Sequence, residues 1–287
     1  MATPTVRKLQ LGHMLRHLRE QAGLTQEEAG KVIEKPQAKF TELENGKRGI
    51  GVGDLKLLLD AYGVSDPELI EFMMDLRRNN HQRGNWTGYR AIHPDQFRQY
   101  VEMEQDADLV RTVESEVPPG LLQSESFIRA LYAERPELNE DDIENGVQAR
   151  LLRQRVLHRE NPLQAEFVIS ESSLLRWYGG PEIMREQIDH MIKLSRLGNV
   201  QIQVLPFETR ANVAALVGFR FVLLRIPSPG TAGPLEFAYI EGVDTNRYLD
   251  DKKAVATYGH LWSRLTAAAL SPSASREFMA EVAKRYR

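Results

Sequence analysis

The chain contains no cysteine. That absence removes disulfides, thiolate metal sites and cysteine nucleophiles together, and it fits a reducing compartment. No apolar run reaches the roughly 18 residues that a membrane-spanning helix needs. The first residues, Met1-Ala2-Thr3-Pro4-Thr5-Val6, lack the charged-then-apolar pattern of a secretory leader. A cytoplasmic protein with no membrane association is expected. A glycine-rich phosphate loop and a G-x-S-x-G nucleophile turn are also missing. An excess of positive charge is missing too: 37 Lys and Arg against 40 Asp and Glu leave a net charge of −3. Any attraction to nucleic acid must therefore come from a local arrangement of cations.

What is present is an ordinary globular composition. With 287 residues, 42% apolar and 27% charged, the chain can bury two cores, so about two domains are expected. Near the N-terminus, Leu11, Met14, Leu15 and Leu18 recur at helical spacing and Gly23 supplies a stop, which predicts a helix over 8–22. Thr25 and Glu28 form a capping-box pattern for a second helix over 26–33. Pro36 suits the first turn of a third helix, and Asn45-Gly46 offers a left-handed exit from it. Leu55, Leu58, Leu59 and Tyr62 mark a fourth helix ending at Gly63. Ser65 with Glu68 reads as a second capping box, opening a fifth helix that carries Leu69, Phe72, Met73 and Leu76. Read this far, the block is a five-helix bundle.

The order of residues says more. Thr25-Gln26-Glu27-Glu28 through Phe40-Thr41-Glu42-Leu43-Glu44-Asn45-Gly46 resembles the XRE-type (lambda-repressor-like) helix-turn-helix family without insertion or deletion. In this resemblance Gln26 holds the glutamine position that opens helix two, Phe40 holds the apolar position of helix three, and Glu44 and Gly46 close the motif. Two departures stand out. Glu34-Lys35 replaces the usual glycine and apolar residue of the turn, and a glutamate in a left-handed conformation costs about 1 kcal/mol. Ala29-Gly30 replaces the commoner Leu-Ala, leaving a smaller contact where helices two and three approach.

The resemblance implies that Pro36–Glu44 is a recognition helix lying in the major groove. The expected base-contacting residues are Gln37, Ala38, Lys39, Thr41 and Glu42. Gln37 can pair with adenine, Lys39 can donate to guanine or phosphate, and Glu42 can accept from cytosine. Phe40 and Leu43 point inward. Expected phosphate contacts are Gln26 at a helix N-terminus, Lys35, Lys47 and Arg48. Lys31, Lys35, Lys39, Lys47 and Arg48 outnumber Glu34, Glu42 and Glu44, so this edge is locally positive. Double-stranded DNA is the expected partner, bound by a homodimer on a palindromic operator with half-sites about one helical turn apart.

Residues 77–95 break the helical pattern and carry Arg77, Arg78, Arg83 and Arg90 with no acid before Asp95. They read as a hinge with Trp86 and Tyr89 packing onto the following domain, and the arginines as solvated charges or phosphate contacts. The expected organisation is a DNA-binding domain over 1–78, a linker over 79–95 and an α+β domain over 96–287.

Beyond the linker the texture is mixed. Leu109–Glu114 reads as a strand, and strand-like runs recur at 165–170, 200–207, 218–226 and 235–241. Helices are expected near 121–133, 140–159 with an Asn139 cap, 171–178, 181–197, 250–269, and 274–286 with a Ser273 cap. Together they predict one sheet of four to five strands flanked by helices. Val117-Pro118-Pro119-Gly120-Leu121-Leu122-Gln123-Ser124 resembles the "VPGLLQT" stretch of a domain attached to XRE-type regulators of actinomycetes, including the WhiJ-like group. Glu171–Arg176 with Gly179-Gly180, Asn199–Phe207, and Ala269–Pro272 with Ser275 follow its other segments. The resemblance implies a regulatory domain answering to a ligand or to a small protein encoded nearby.

No catalytic constellation or metal site emerges, and no cofactor is implied. His13 and His17 share a helix face, but Met14 stands where a zinc-protease glutamate would be and no third ligand follows. His158, His190 and His260 are isolated. Glu171 fits a helix start stabilised by the dipole. Three functions compete: a regulator controlled through its C-terminal domain, an antitoxin-like autorepressor of its own operon that binds a cognate protein, and an enzyme tethered to DNA. The first is the reading adopted, with no enzymatic activity.

Overall fold

The computed structural model describes residues 6–79, 95–209, 220–228, 233–242 and 246–286, and the chain divides into two units. The first unit holds α1 (Val6–Gln21), α2 (Gln26–Val32), α3 (Gln37–Glu44), α4 (Val52–Ala61) and α5 (Pro67–Arg78). Leu11, Met14, Leu15, Phe40, Leu43, Leu55, Leu58 and Met73 meet in a single core, as the helical spacing of the sequence requires.

The helix ends explain how five helices fit into so few residues. α1, α2, α3 and α4 all stop in the same paired hydrogen-bond motif, in which the first residue past the cap turns left-handed. At α1, Gly23 N donates to Glu20 O and Leu24 N to Arg19 O, both at 3.1 Å. Gly46 and Gly63 repeat this at α3 and α4, with φ of 66° and 70°. At α2 the left-handed residue is Glu34, with φ 53°. Glu34 N donates to Lys31 O at 3.1 Å and Lys35 N to Gly30 O at 2.9 Å. The turn keeps its geometry, and the glutamate adopts a conformation that its Cβ disfavours.

Gly30 is the counterpart of that turn. A Cβ there would lie 2.7 Å from Lys35 O, because the left-handed residue folds the next carbonyl back over α2. Gly12 in α1 serves a closer crossing. Its Cβ would stand 2.4 Å from Glu44 O, so α1 and α3 touch backbone to backbone.

Three helix starts differ from the sequence reading, and at two of them a proline in the first helical position sets the cap. Pro36 is the N-cap of α3 with ψ 148°, outside the first turn, and its carbonyl accepts from Lys39 N and Phe40 N. α5 is capped by Asp66, whose side chain accepts from Glu68 N, not by Ser65, because Pro67 occupies the first helical position. Ser271, not Ser273, caps the last helix for the same reason, with Pro272 behind it. Thr25 and Glu28 do form the expected reciprocal box.

The second unit begins within α6 (Asp95–Asp106), from Glu104 onward. It continues through β1 (Leu109–Glu114), a 3₁₀ turn (Gly120–Leu122), α7 (Glu125–Ala133), α8 (Glu140–Gln154) and another 3₁₀ turn (Arg155–Leu157). Then come β2 (Gln164–Ser170), α9 (Ser172–Leu175), α10 (Pro181–Leu194), β3 (Val200–Leu205), β4 (Phe221–Ile226) and β5 (Leu235–Glu241). β6 (Asn246–Leu249), α11 (Lys252–Ala268) and α12 (Pro272–Ala283) complete the order.

The strands form one mixed sheet in the order β3-β2-β1-β4-β5-β6. β1, β2 and β3 run parallel, with Val113 opposite Val168 and Val168 opposite Gln203. β4 is antiparallel to β1 and β6 is antiparallel to β5. The α+β class is as expected, with one strand more than the sequence pattern shows. That strand, β6, has only four residues and gains its identity from pairing Tyr248 with Tyr239.

On one face α11 packs Trp262 and Leu265 against Val113, Val168, Phe221, Leu223 and Ala238. The alternate residues Ala165, Phe167, Ile169, Ile202 and Val204 are buried too, so both faces are covered, as parallel strands require. The edge strand β3 is closed by α12: Ser275 Oγ accepts from Val204 N at 2.9 Å, and Leu270 N donates to Val204 O at 2.9 Å. Among the described residues no helix is long and apolar enough to cross a membrane.

Replacing Glu34 by glycine removes the left-handed penalty, partly offset by the greater freedom of glycine in the unfolded chain. Glu34→Gly is expected to stabilise the protein by about 0.5–1 kcal/mol, read as an upward shift in the denaturation midpoint. An unchanged or lowered midpoint would show that the turn bears no strain.

Candidate nucleic-acid interface

α3 presents one face to the core and one to solvent. Phe40 and Leu43 are buried, while Gln37, Ala38, Lys39 and Glu42 are exposed and Thr41 is half-exposed. The exposed set faces outward because Phe40 and Leu43, three residues apart, anchor the opposite stripe.

The position of this face is fixed from within by Glu44. Its side chain is fully buried and forms a fork with Arg19 of α1, Nε to Oε1 at 2.6 Å and Nη2 to Oε2 at 3.2 Å. Arg19 also donates from Nη1 to Leu24 O at 2.7 Å. Gln26 of α2 donates from Nε2 to Glu44 Oε2 at 2.7 Å. Arg16 approaches the same carboxylate at 3.8 Å and bonds Asn45 Oδ1 at 2.5 Å. Three helices therefore converge on one carboxylate. Burial pulls the Arg19 pKa down, but the bond to Glu44 and its charge more than reverse that, so the guanidinium sits above its ordinary value.

The network continues to the surface. Thr41 Oγ1 donates to Gln26 Oε1 at 2.9 Å and also contacts Gln37 O at 3.0 Å. Of the nine residues expected from sequence to meet DNA, Gln26, Thr41 and Gln37 are thus joined in one chain of contacts. Glu42 is paired with Arg48 at 3.3 Å, so a residue expected to read bases neutralises one expected to clamp phosphate. Lys31 is held by Glu27 at 2.8 Å. Lys35, Lys39 and Lys47 are exposed, with no acidic partner among the described residues. Glu44 does not offset them, because its charge lies inside.

Arg19 was not singled out by the sequence reading. Its signal was there: it lies four residues beyond Leu15 and eight beyond Leu11, on the buried stripe of α1. Arg77 and Arg78, expected from sequence to lie beyond the helical pattern, belong to the last turn of α5; Arg77 donates to Ile50 O at 3.3 Å and Arg78 pairs with Glu71 at 3.3 Å. Arg83, Trp86, Tyr89 and Arg90 lie outside the described residues.

In the second unit, the segments that carry the C-terminal resemblance are held by buried and half-buried polar side chains. Gln154 donates to Gly120 O at 2.9 Å and Gln123 O at 2.8 Å. Gln187 bridges Leu122 O and Ser124 N, both at 2.7 Å. Asn199 donates to Leu157 O and Leu163 O at 3.1 and 2.9 Å. Glu171 precedes the single turn α9, yet its carboxylate accepts from Phe207 N at 2.9 Å and makes no cap bond. Gly179 (φ 70°) could take no side chain, since a Cβ would lie 2.6 Å from both Ala130 and Ile183. These residues shape the fold and leave little free chemistry.

One group is poised differently. Glu114, at the end of β1, has an oxygen that is buried and makes no hydrogen bond. Burial pushes its carboxyl up to about 7; nearby Glu241 adds to the shift, while Arg220, 3.7 Å away, opposes it.

Residues 10–72 match a family model described as a helix-turn-helix domain. Five helices of this kind, with an anchored α3 and an exposed polar face, define a DNA-binding regulator of the helix-turn-helix class. Residues 97–281 match a second model, described as a domain of unknown function (DUF5753). That match spans well over half of the chain, and the protein belongs to this family. No curated protein and no solved structure matches the chain.

Two measurements probe these sites. Removing one partner of a buried ion pair leaves the other uncompensated, so Glu44→Ala is expected to cost about 3–5 kcal/mol, seen as a lowered denaturant midpoint. A cost under about 1 kcal/mol would mean the pair behaves as a surface one. For Glu114, the folded value lies above the ordinary 4.5, so the folded chain holds this proton more tightly than the unfolded chain. The resulting stability is fully present below the ordinary value and is lost as pH rises through about 7. Glu114→Gln should flatten that loss, exceeding the parent by on the order of 2 kcal/mol above about pH 8. Parallel stability profiles for the two proteins would contradict the shift.

Proposed function

We propose that the protein is a sequence-specific transcriptional regulator of the XRE type, related to WhiJ-like regulators, that binds a palindromic operator as a homodimer. Residues 1–78 bind DNA, 79–95 connect, and 96–287 control activity in response to a small ligand or a partner protein. The observation that carries this reading is the outward face of α3: Gln37, Ala38 and Lys39 are exposed on its first turn, where a helix seated in the major groove meets base edges. Thr41 and Glu42 follow one turn on. Lys35, Lys47, Arg48 and Gln26 supply phosphate contacts around them.

Two features of the network support these roles. Gln26 is oriented by Glu44 and Thr41, which leaves the second N–H of its amide to donate to phosphate. Lys35 and Lys47 bracket α3 and are unpaired among the described residues, which suits cations that must exchange counterions for a backbone.

Mobility shift on the DNA upstream of the gene tests the reading. Gln37→Ala with Lys39→Ala is expected to weaken specific binding at least tenfold, at about 1–3 kcal/mol per base contact, with the folded stability unchanged. Undiminished affinity in that double variant would remove α3 as the reading element. A pull-down with the neighbouring small protein separates ligand control from an antitoxin-like autorepressor.

A further inference from the structure

α4 carries an apolar side chain on the side that the bundle does not use. Leu55, Leu58, Leu59 and Tyr62 form its buried stripe. The helical repeat turns Leu57 to the opposite side of the helix, and it remains 52% exposed. Among the described residues only Val52, Trp177 and Phe207 are comparably exposed large apolar side chains, and Val52 opens the same helix. A solitary exposed leucine is ordinary on a protein surface, so its neighbours decide what it means.

Gly53 and Ala61 stand one turn to either side of Leu57, exposed on the same face. A Cβ at Gly53 would meet no atom within 4 Å, so the space above it is open. A leucine between two small residues lets a second helix approach closely. The flank of this face is charged. Lys56 and Asp60 are exposed four residues apart, and neither forms an ion pair among the described residues. A lysine placed four residues before an acid is the less favourable order for pairing within one helix, which leaves both charges to a partner.

We propose that the outward face of α4, centred on Leu57, is the surface through which two copies of this chain pair. Two α4 helices laid antiparallel across a two-fold axis beside residues 57 and 58 make every contact twice. Lys56 of each copy then faces Asp60 of the other, and Leu57 packs beside its counterpart. Gly53 of each copy lies across from Ala61 of the other, where the missing side chains let the backbones come together. An in-register parallel pair would instead set lysine against lysine and aspartate against aspartate. Charges of both signs on one short face fit a copy of the same face better than a partner of uniform charge. The inference rests on the homodimer reading above and gives that dimer its interface. One helix face is small beside the roughly 1,200 Å² of a stable interface, so pairing is weak and reversible. Two half-sites on one DNA strengthen it by holding both copies close together.

The test uses the full chain and measures self-association by sedimentation equilibrium at low salt. The parent should associate reversibly. Leu57→Glu should weaken association roughly tenfold or more, and Lys56→Asp and Asp60→Lys should each weaken it several-fold, because like charges then face each other across the axis. Lys56→Asp combined with Asp60→Lys restores opposite charges and should recover most of the loss. Lys31→Glu, at an exposed position of α2, should associate as the parent does. All these positions are exposed, and unchanged melting temperatures would confirm that the variants fold. The proposal is overturned if the parent stays monomeric over its whole soluble range, if the single variants associate as the parent does, or if the double reversal is no better than either single one. A mobility shift on the same preparations keeps the two ideas apart. Dimeric operator binding by every α4 variant removes α4 and leaves the homodimer standing, whereas a parent that binds no operator removes the regulator reading itself.

Discussion

The first unit depends on one buried carboxylate. Glu44 belongs to the helix that faces outward, but its charge is spent inward on Arg19 of α1, with Gln26 of α2 as a third member. Charges taken out of water are tolerated only when geometry and hydrogen bonding are good, and the backbone approach of α1 to α3 at Gly12 brings the pair within reach. Moving α3 relative to α1 would strand both charges. The orientation of the exposed residues Gln37 and Lys39 is therefore set by an interaction on the opposite side of the same helix.

Much of the first unit was legible in the sequence because its signals are local. The stops at Gly23, Gly46 and Gly63 and the box at Thr25 each need only a few neighbouring residues. Where local signals competed, proline decided: Pro67 and Pro272 fix the helix start at themselves, so the cap is whatever residue stands immediately before. The role of Arg19 was not legible in the same way, because its partner lies 25 residues away. A lone arginine on an apolar stripe acquires meaning only once the helix that carries its counter-charge is known. The exposed stripe of α3 could be read from Phe40 and Leu43, but the bond that ties Gln26 to Glu44 could not.

In the second unit the strands with β-branched runs were legible and β6 was not, since Asn246-Arg247-Tyr248-Leu249 carries no pattern apart from its pairing with β5. The segments with the strongest family likeness, around Gly120, Gly179, Asn199 and Ser275, are occupied in holding loops and closing a sheet edge. They describe how this fold is assembled. Glu114, whose buried carboxylate oxygen makes no hydrogen bond, carries no motif at all and stands out only by its surroundings.

The turn between α2 and α3 has a further consequence. A glycine at position 34 would contribute shape alone, whereas Glu34 brings a negative charge into the chain between Lys31 and Lys35, just ahead of the proposed recognition helix. An approaching phosphate backbone would meet a mixed field there, so fewer condensed counterions are released for each lysine engaged. Binding of this kind draws less on bulk electrostatics and is correspondingly less sensitive to ionic strength. On the proposed reading, a chain whose overall charge is −3 would discriminate between sequences more through the shape and hydrogen bonding of α3 than through indiscriminate attraction to DNA.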